Sequence, residues 1–232
     1  MGIDTVLAAA VEPVVARSGV SLSVGVLDSG SGQRGVYGGA AHATASIVKV
    51  DIMAALLLAT QDAGRSLTAQ EKTQATAMIR LSDNAAATAL WQTIGGARGL
   101  DAANERLGLG ETAGRAAWGL TQTTARDQLT LLQAVFGRDS VLSEASRPYL
   151  RALMEQVSPD QAWGVSAAGS DWALKNGWMP RTTTGLWAVN SIGRVRVDGR
   201  ACLVAVLSGG HATKEAGIAL VEAAARRAVS SL

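Results

Sequence analysis

Apolar and polar positions follow two different periods along this chain, and the changes of period divide it into blocks. A helical period covers residues 3–17, and SLSVGVLDSGSGQRGVYGG then alternates like two short strands around a Gly/Ser turn. After Pro159, the segments WALKNGWM, GLWAVNSIGRV and ACLVAVLS are rich in β-branched and aromatic residues, which predicts three antiparallel strands. Residues 214–232 return to a helical pattern and predict a closing helix.

A long helical block lies between the two β-segments. Its predicted helices span residues 46–61, 68–80, 84–94, 101–107, 124–136 and 143–157, and the Gly-rich residues 108–122 are predicted as a loop. We therefore expect an α+β fold, in which a five-stranded antiparallel sheet is flanked by the terminal helices and an all-helical lobe is inserted. Residues 1–40 and 159–232 would form the sheet lobe and residues 41–158 the helical lobe, in one compact unit with its active site between the lobes.

The segment ATASIVKVDIMAALLL combines a strongly apolar helix with one lysine. A helix that is apolar on every side is expected to be buried, yet lysine is rarely buried without a partner. Lys49 follows Ser46 by three residues, which places both side chains on one helix face. Burial lowers the pKa of a lysine, so Lys49 is a candidate base for the Ser46 hydroxyl. The alternative is a lysine whose stem reaches from a buried helix to solvent.

Two further motifs follow in order along the chain. Taken alone, Ser82-Asp83-Asn84 is an ordinary helix-capping sequence, and Lys175-Asn176-Gly177 could be an edge-strand lysine beside a turn glycine. Together with Ser46-x-x-Lys49 they form a constellation, and here the sequence resembles the serine β-lactamases of class A and the penicillin-binding D,D-peptidases. The signature of those enzymes is S-x-x-K, S-D-N and K-T-G. The resemblance extends over nearly the whole chain, including the order of helices and strands.

The resemblance implies a catalytic role for four residues. Ser46 would be the acylated nucleophile, and Lys49 the base that takes its proton. Ser82 would relay a proton to the leaving group, and Lys175 would hold both Ser82 and an anionic group of the substrate. Two lysines in one pocket lower each other's pKa, and we expect Lys49 to be the more buried of the two.

Contacts with the substrate are expected from Asn84, Asn176, Gly177, Trp178 and Trp118. By resemblance, Asn84 would hydrogen-bond a substrate amide, and the backbone N–H groups of Ser46 and Trp178 would form the oxyanion hole. Trp118 and Trp178 are candidates to line the pocket. Asn176 stands where the family usually has Thr or Ser, so its amide would replace a hydroxyl at the carboxylate of the substrate.

The segment between Asn84 and Thr123 departs from the class A pattern. It is shorter, and it contains no match to E-x-x-L-N, which supplies the deacylating glutamate in that class. Glu105 falls in a predicted helix, and Glu111 is expected to be a solvated acid too early in the loop to replace it. Without a base that activates water, an acyl-enzyme formed with a β-lactam would break down slowly.

The sequence therefore predicts a β-lactamase-like serine hydrolase that cleaves an amide or ester bond through a Ser46 acyl-enzyme and turns β-lactams over poorly. Its substrate would be a small-molecule or peptide-like acyl compound. The alternatives are a D,D-peptidase, an esterase or an acyl-transfer (biosynthetic) enzyme on the same scaffold. A non-catalytic protein that binds β-lactams or another ligand is a further alternative.

Composition argues against several other classes. Only 17% of residues are charged, the net charge is +2, and the arginines form no basic stripe, so we expect no nucleic-acid partner. With one cysteine and two histidines, a Cys/His zinc site is not expected, nor is any other metal or cofactor. No G-x-S-x-G elbow supports a Ser-His triad. His42 is expected at the surface, and His211 near the active site.

Membrane and targeting signals are weak in this sequence. No apolar run is long enough for a membrane span, and the N-terminus lacks the basic segment of a signal peptide. We expect a monomer located in the cytoplasm, or secreted or held in the cell envelope if a leader has been removed.

Overall fold

The structure, a computed structural model, describes residues 2–15 and 19–232. The chain begins with helix α1 (Ile3–Val15) and the strands β1 (Ser21–Asp28) and β2 (Arg34–Tyr37). The helices that follow are α2 (Val48–Asp62), α3 (Ala69–Arg80), α4 (Asn84–Thr93), α5 (Gly96–Leu107), α6 (Ala125–Phe136) and α7 (Ser146–Glu155). Two short strands in this region, β3 (His42–Ala43) and β4 (Gln122–Thr123), pair with each other. The last elements are β5 (Ser170–Pro180), β6 (Trp187–Val197), β7 (Arg200–His211) and α8 (Lys214–Ser230).

Five strands form one sheet in the order β2-β1-β7-β6-β5, and every neighbouring pair is antiparallel. The N-terminal hairpin therefore joins the three C-terminal strands, although more than a hundred residues separate them along the chain. The predicted fold class is confirmed, with eight α-helices in the described residues. Strand β5 is an edge of this sheet, and it contacts the turn that leads into α2.

The two faces of the sheet belong to two apolar cores. Because side chains alternate along a strand, Val204 and Val206 of β7 face one core while Leu203 and Ala205 face the other. Helices α1 and α8 cover the first face, and α6 with the other helices of the inserted block covers the second. Helix α2 runs through the second core, which explains why nearly all of its residues are buried.

Two helix starts differ from the sequence prediction. Helix α5 begins at Gly96 instead of residue 101, because Gly95 and Gly96 turn the chain in the left-handed region with φ of 90° and 63°. Helix α7 begins at Ser146 instead of Ser143, whose hydroxyl accepts a hydrogen bond from the Ser146 N–H just before the helix. The capping box at Thr68 is present as predicted, with Glu71 as its reciprocal partner.

Within the described residues, no helix has the length and apolar character needed to cross a bilayer.

Candidate active site

Ser46 lies in a tight turn that leads directly into α2. The turn is a single 3₁₀ segment, Ala45–Ile47, and Ala45 has a φ of 47°. A residue other than glycine in this left-handed region is strained by about 1–3 kcal/mol, and such strain concentrates at functional sites. Ser46 is half-buried, whereas its neighbours Ala45 and Ile47 are buried. The turn therefore exposes one hydroxyl at the start of an otherwise buried helix.

Lys49 is completely buried, one helical turn after Ser46. Its ammonium group donates hydrogen bonds to the Ser82 carbonyl at 2.7 Å, to Ser82 Oγ at 3.2 Å and to Asn84 Oδ1 at 2.8 Å. Within the described residues, none of its hydrogen bonds reaches the Ser46 hydroxyl. Contacts of this kind often form only when substrate is bound. The Trp118 ring lies beneath the ammonium group, 4.9 Å from Nζ to the ring centroid.

Ser82 occupies the turn between α3 and α4, where its φ of 56° is again left-handed. The next residue, Asp83, caps α4 by accepting a hydrogen bond from the Ala86 N–H at 2.7 Å. The S-D-N motif therefore has both a capping and a site role. Asp83 fixes the helix start, and its two neighbours Ser82 and Asn84 contact Lys49.

Lys175 reaches the same hydroxyl from the sheet. Its ammonium group donates to Ser82 Oγ at 3.0 Å and to the Asn176 carbonyl at 2.9 Å. A serine oxygen can accept two hydrogen bonds, so with both lysines donating, the Ser82 proton remains free for a third group. The structure thus brings Lys49, Ser82 and Lys175 together beside Ser46.

The two lysines are less basic than ordinary lysines. Burial lowers the pKa of Lys49 to about 8, and the nearby Asp83 carboxylate opposes this shift. Burial lowers the pKa of Lys175 as well, and the charge of Lys49 lowers it further. The expectation that Lys49 is the more buried is wrong, because both side chains are fully buried.

Gly177 is where the edge strand β5 contacts the turn that carries Ser46. A Cβ atom at this position would lie 2.7 Å from the Ser46 nitrogen, 2.8 Å from the Ile47 nitrogen and 2.8 Å from the Thr44 carbonyl oxygen. Only glycine allows this approach. Backbone groups alternate in direction along a strand, so the N–H of Trp178 points to the same open side as the Asn176 carbonyl that contacts Lys175. The N–H groups of Ser46 and Trp178 are thus suited to face one oxygen.

A pocket of about 310 Å³ opens over Ser46. It is lined by Ala45, Ser46, Asn84, Ala117, Trp118, Gly119, Leu120, Trp178 and Met179. Among these described residues none is acidic or basic, and most of the wall is apolar. The sequence prediction missed Ala117, Leu120 and Met179, although Met179 follows Gly177 by two residues and therefore faces the same side of β5.

The structure places Asn176 away from this pocket, which corrects the expectation that it contacts the substrate. Its side chain is fully buried, and its amide nitrogen donates to the carbonyls of Gln161 and Trp163 at 2.8 and 2.9 Å. The reason is strand alternation, because Lys175 and Gly177 face the site and the residue between them faces the opposite side. The Trp178 ring also lies on that opposite side, against Trp163 and Lys214.

Glu111 lies apart from the Ser46 pocket. Its carboxylate accepts a hydrogen bond from the Thr124 hydroxyl at 2.7 Å, and it lines a different cavity beside Val36 and Arg126. The loop between α5 and β4 instead places Trp118 next to Lys49. Neither Glu111 nor any other acid lines the pocket within the part of the chain that the structure describes.

The two histidines are buried in the sheet region. The prediction that His42 lies at the surface is wrong, because it is 7% exposed and its Nε2 lies 3.0 Å from Ser23 Oγ. His211 Nε2 lies 2.9 Å from Ser208 Oγ, and both side chains are buried. In the described residues no cluster of three or more His, Cys, Asp or Glu side chains could hold a metal ion.

Replacing Gly177 by alanine should slow the reaction of Ser46 by at least about tenfold, because the new methyl group would push the Ser46 turn away from β5. The rate of Ser46 labelling by a fluorophosphonate probe measures this effect. Gly209→Ala is the matched control, since open space surrounds that position. An unchanged labelling rate in Gly177→Ala would show that the close approach does not shape the site.

Comparison with known proteins agrees with this fold. A family model described as the beta-lactamase enzyme family matches residues 58–232, which is more than half of the chain. The match begins within α2, after Ser46 and Lys49, and it includes the S-D-N and K-N-G motifs. No curated protein matches the chain.

Several solved structures share the fold at low sequence identity. A class A beta-lactamase from Bacteroides cellulosilyticus DSM 14838 is 15% identical with a TM-score of 0.85, and the alignment covers 100% of this chain and 98% of that one. The TLA-1 extended spectrum beta-lactamase is 16% identical with a TM-score of 0.88, covering 100% and 99%. A mutant of PBP-A, solved as an acyl-enzyme complex with penicillin-G, is 21% identical with a TM-score of 0.83, covering 98% and 96%. Because the family match spans most of the chain, this protein belongs to the beta-lactamase enzyme family.

Proposed function

We propose that this protein is a serine hydrolase that forms an acyl-enzyme on Ser46. The observation that carries the proposal is the meeting of Lys49 and Lys175 at the Ser82 hydroxyl, next to a half-exposed serine at the mouth of a pocket. A serine needs a neighbouring base to act as a nucleophile, and Lys49 is one turn away with a lowered pKa.

In the proposed acylation, Lys49 in its neutral form accepts the Ser46 proton as Oγ forms a bond to the carbonyl carbon of the substrate. The N–H groups of Ser46 and Trp178 stabilise the negative oxygen that develops. When the bond to the leaving group breaks, the Ser82 hydroxyl supplies the proton that the leaving group takes. Lys49, 3.2 Å away, returns a proton to Ser82. Lys175 keeps the Ser82 hydroxyl in position through its 3.0 Å hydrogen bond.

The walls of the pocket favour an uncharged acyl group. Trp118, Leu120 and Met179 supply apolar surface, and Asn84 is the polar side chain beside Ser46. The two cationic groups nearby are buried and already hydrogen-bonded within the protein, and Asn176, expected at a substrate carboxylate, faces away. We propose esters or amides of small apolar acids as the substrate class.

The pocket provides fewer groups that could assist deacylation than groups that could assist acylation. The proposal of poor β-lactam turnover is supported by the position of Glu111 in another cavity and by the apolar residues 117–120 over Ser46. The PBP-A mutant of similar fold was captured as a penicillin acyl-enzyme, and we propose that penicillin also acylates this protein. A D,D-peptidase, an acyl-transfer enzyme and a non-catalytic ligand-binding protein are the alternatives that the next experiments separate.

Acylation should become faster as pH rises through about 8, where half of Lys49 is neutral, and should level off at higher pH, where Lys49 is largely neutral. Below this pKa the lysine is protonated and cannot accept the Ser46 proton, so the rate should fall as pH falls. Lys49→Arg stays protonated and should lose about 10²–10⁴-fold in rate. The p-nitrophenolate burst from p-nitrophenyl acetate measures both effects, with exposed Lys72→Arg as the control. A Lys49→Arg rate near that of the wild type would contradict Lys49 as the base.

Intact-mass spectrometry should detect a penicillin adduct on Ser46 that persists, whereas the adduct from an activated uncharged ester should clear with turnover. Ser46→Ala should show neither adduct nor turnover. Rapid penicillin hydrolysis would contradict the proposed weak β-lactam turnover. Absence of both adducts and of ester hydrolysis would contradict the hydrolase and favour the ligand-binding alternative.

Glu111→Gln should leave the rate of deacylation within about twofold of the wild type, because the carboxylate contacts Thr124 and lines a separate cavity. The lifetime of the penicillin adduct, followed by mass spectrometry, tests this. A much longer lifetime in Glu111→Gln would identify Glu111 as the group that activates water.

A further inference from the structure

A buried chain of polar side chains lies beneath the nucleophile helix, outside the site described above. It starts at Asp51 of α2, a fully buried carboxyl two residues after Lys49. Gln128 of α6 is the hydrogen-bonding side chain next to it. Among the described residues neither Asp51 oxygen has a donor in place, and the Gln128 amide oxygen also has no partner. Two neighbouring side chains of the core thus carry buried acceptor oxygens without a donor.

The chain continues from Gln128 through two threonines to a second acid. Gln128 Nε2 donates to Thr123 Oγ1 at 3.0 Å, and Thr123 Oγ1 lies 2.8 Å from Thr112 Oγ1. Thr112 Oγ1 donates to Asp127 Oδ2 at 2.7 Å. Four contacts therefore link five side chains between Asp51 and Asp127.

An ionised Asp51 would be a fully buried charge with no hydrogen-bond donor in place, and a carboxyl in such a site keeps its proton instead. With that proton in place, the Asp51 hydroxyl can donate to the unpartnered Gln128 amide oxygen. Every donor of the series can then point from Asp51 toward Asp127.

Asp51 is the acid better placed to carry that proton. Asp127 lies in the first turn of α6, where the helix dipole favours a negative charge, and it also accepts a hydrogen bond from the Glu111 N–H at 2.8 Å. Asp51 lies in apolar surroundings, and burial raises its pKa to about 8. Burial raises the pKa of Asp127 as well, but the hydrogen bonds from Thr112 and Glu111 oppose that shift.

We propose that Asp51 is protonated at neutral pH and donates a hydrogen bond to Gln128 Oε1, which makes it a positioning residue for Ser46 and Lys49. Thr112 and Thr123 stand at the two ends of the loop that places Trp118 beside Lys49. The chain therefore fastens the nucleophile helix to both ends of that loop. The protonation is independent of the proposed function, whereas the positioning role rests on it.

The proton on Asp51 has a definite effect on stability. Of the charged groups on the helices packed against it, within the described residues, Asp127 of α6 is the one that acts on Asp51, and its like charge also favours the protonated form. In the unfolded chain Asp51 ionises near 3.8, but in the folded protein it keeps its proton to about 8. Because the folded state then binds more protons, its stability should fall as pH rises between these values.

Asp51→Asn tests the protonation without any activity assay. The amide keeps a donor for Gln128 but cannot ionise, so its melting temperature should exceed that of the wild type by an amount that grows by several degrees from about pH 5 to about pH 8. Asp139→Asn replaces an exposed aspartate, and its melting temperature should differ from that of the wild type by the same amount at every pH. The proposal is overturned if the difference in melting temperature between Asp51→Asn and the wild type does not change with pH, or if the variant becomes less stable relative to the wild type as pH rises.

Asp51→Leu tests the hydrogen bond and the positioning role. Leucine has a similar size but no hydrogen-bond donor, so the Asp51→Leu protein should be less stable than the Asp51→Asn protein. It should also release p-nitrophenolate from p-nitrophenyl acetate at least about tenfold more slowly, with the change in kcat rather than in KM. Equal kcat for the Leu and Asn variants would overturn the positioning role. If no variant and not even the wild type turns over ester, the proposed function fails, while the pH dependence of stability still decides the protonation.

Discussion

Two buried ammonium groups share one hydroxyl, and the arrangement of the site depends on this contact. Ser82 Oγ is the point where helix α2, the turn before α4 and the edge strand β5 meet, through Lys49 and Lys175. Two like charges in a dry interior repel, and only hydrogen bonds and a lowered pKa make the pair tolerable. The fold therefore holds two lysines that release protons more easily than lysines in water. A displacement of any of the three elements would break at least one of the hydrogen bonds that these cations donate to Ser82 Oγ.

Burial of α2 affects its two buried ionisable side chains in opposite directions. It makes Lys49 less basic and Asp51 less acidic, so that both are shifted toward their neutral forms. They lie two residues apart and thus on different sides of the helix, one toward the pocket and one toward α6. The same apolar sequence that buries the helix therefore makes the amine on one side less basic and the carboxyl on the other side less acidic.

Much of the fold could be predicted from sequence because its signals are local. Capping boxes, glycines and the change from helical to strand period located every long element, and the errors at α5 and α7 concern only their first turns. The three motifs also predicted which side chains meet at Ser82, and their roles there remain proposals. The error at Asn176 was avoidable, since strand alternation requires its side chain to face away from Lys175 and Gly177.

Other features depend on contacts between distant segments, which a single sequence does not show. The burial of His42 depends on Ser23, and the partner of Asp51 lies on α6. Met179 and Leu120 come to line the same pocket only once β5 and the loop before β4 are in place. Nothing in the local pattern around any of these residues distinguishes them from ordinary core or loop positions.

The contact at Gly177 also has a consequence for how molecules of this protein behave toward one another. An edge strand offers unpaired backbone groups, which can recruit a strand from another molecule and begin aggregation. Along β5 the Ser46 turn packs closely against the strand at Gly177, and α7 packs along the same strand. The other edge, β2, is only four residues long. These neighbours leave less room at β5 for a strand of another molecule, so mutations that loosen the Ser46 turn would endanger solubility as well as the geometry of the site.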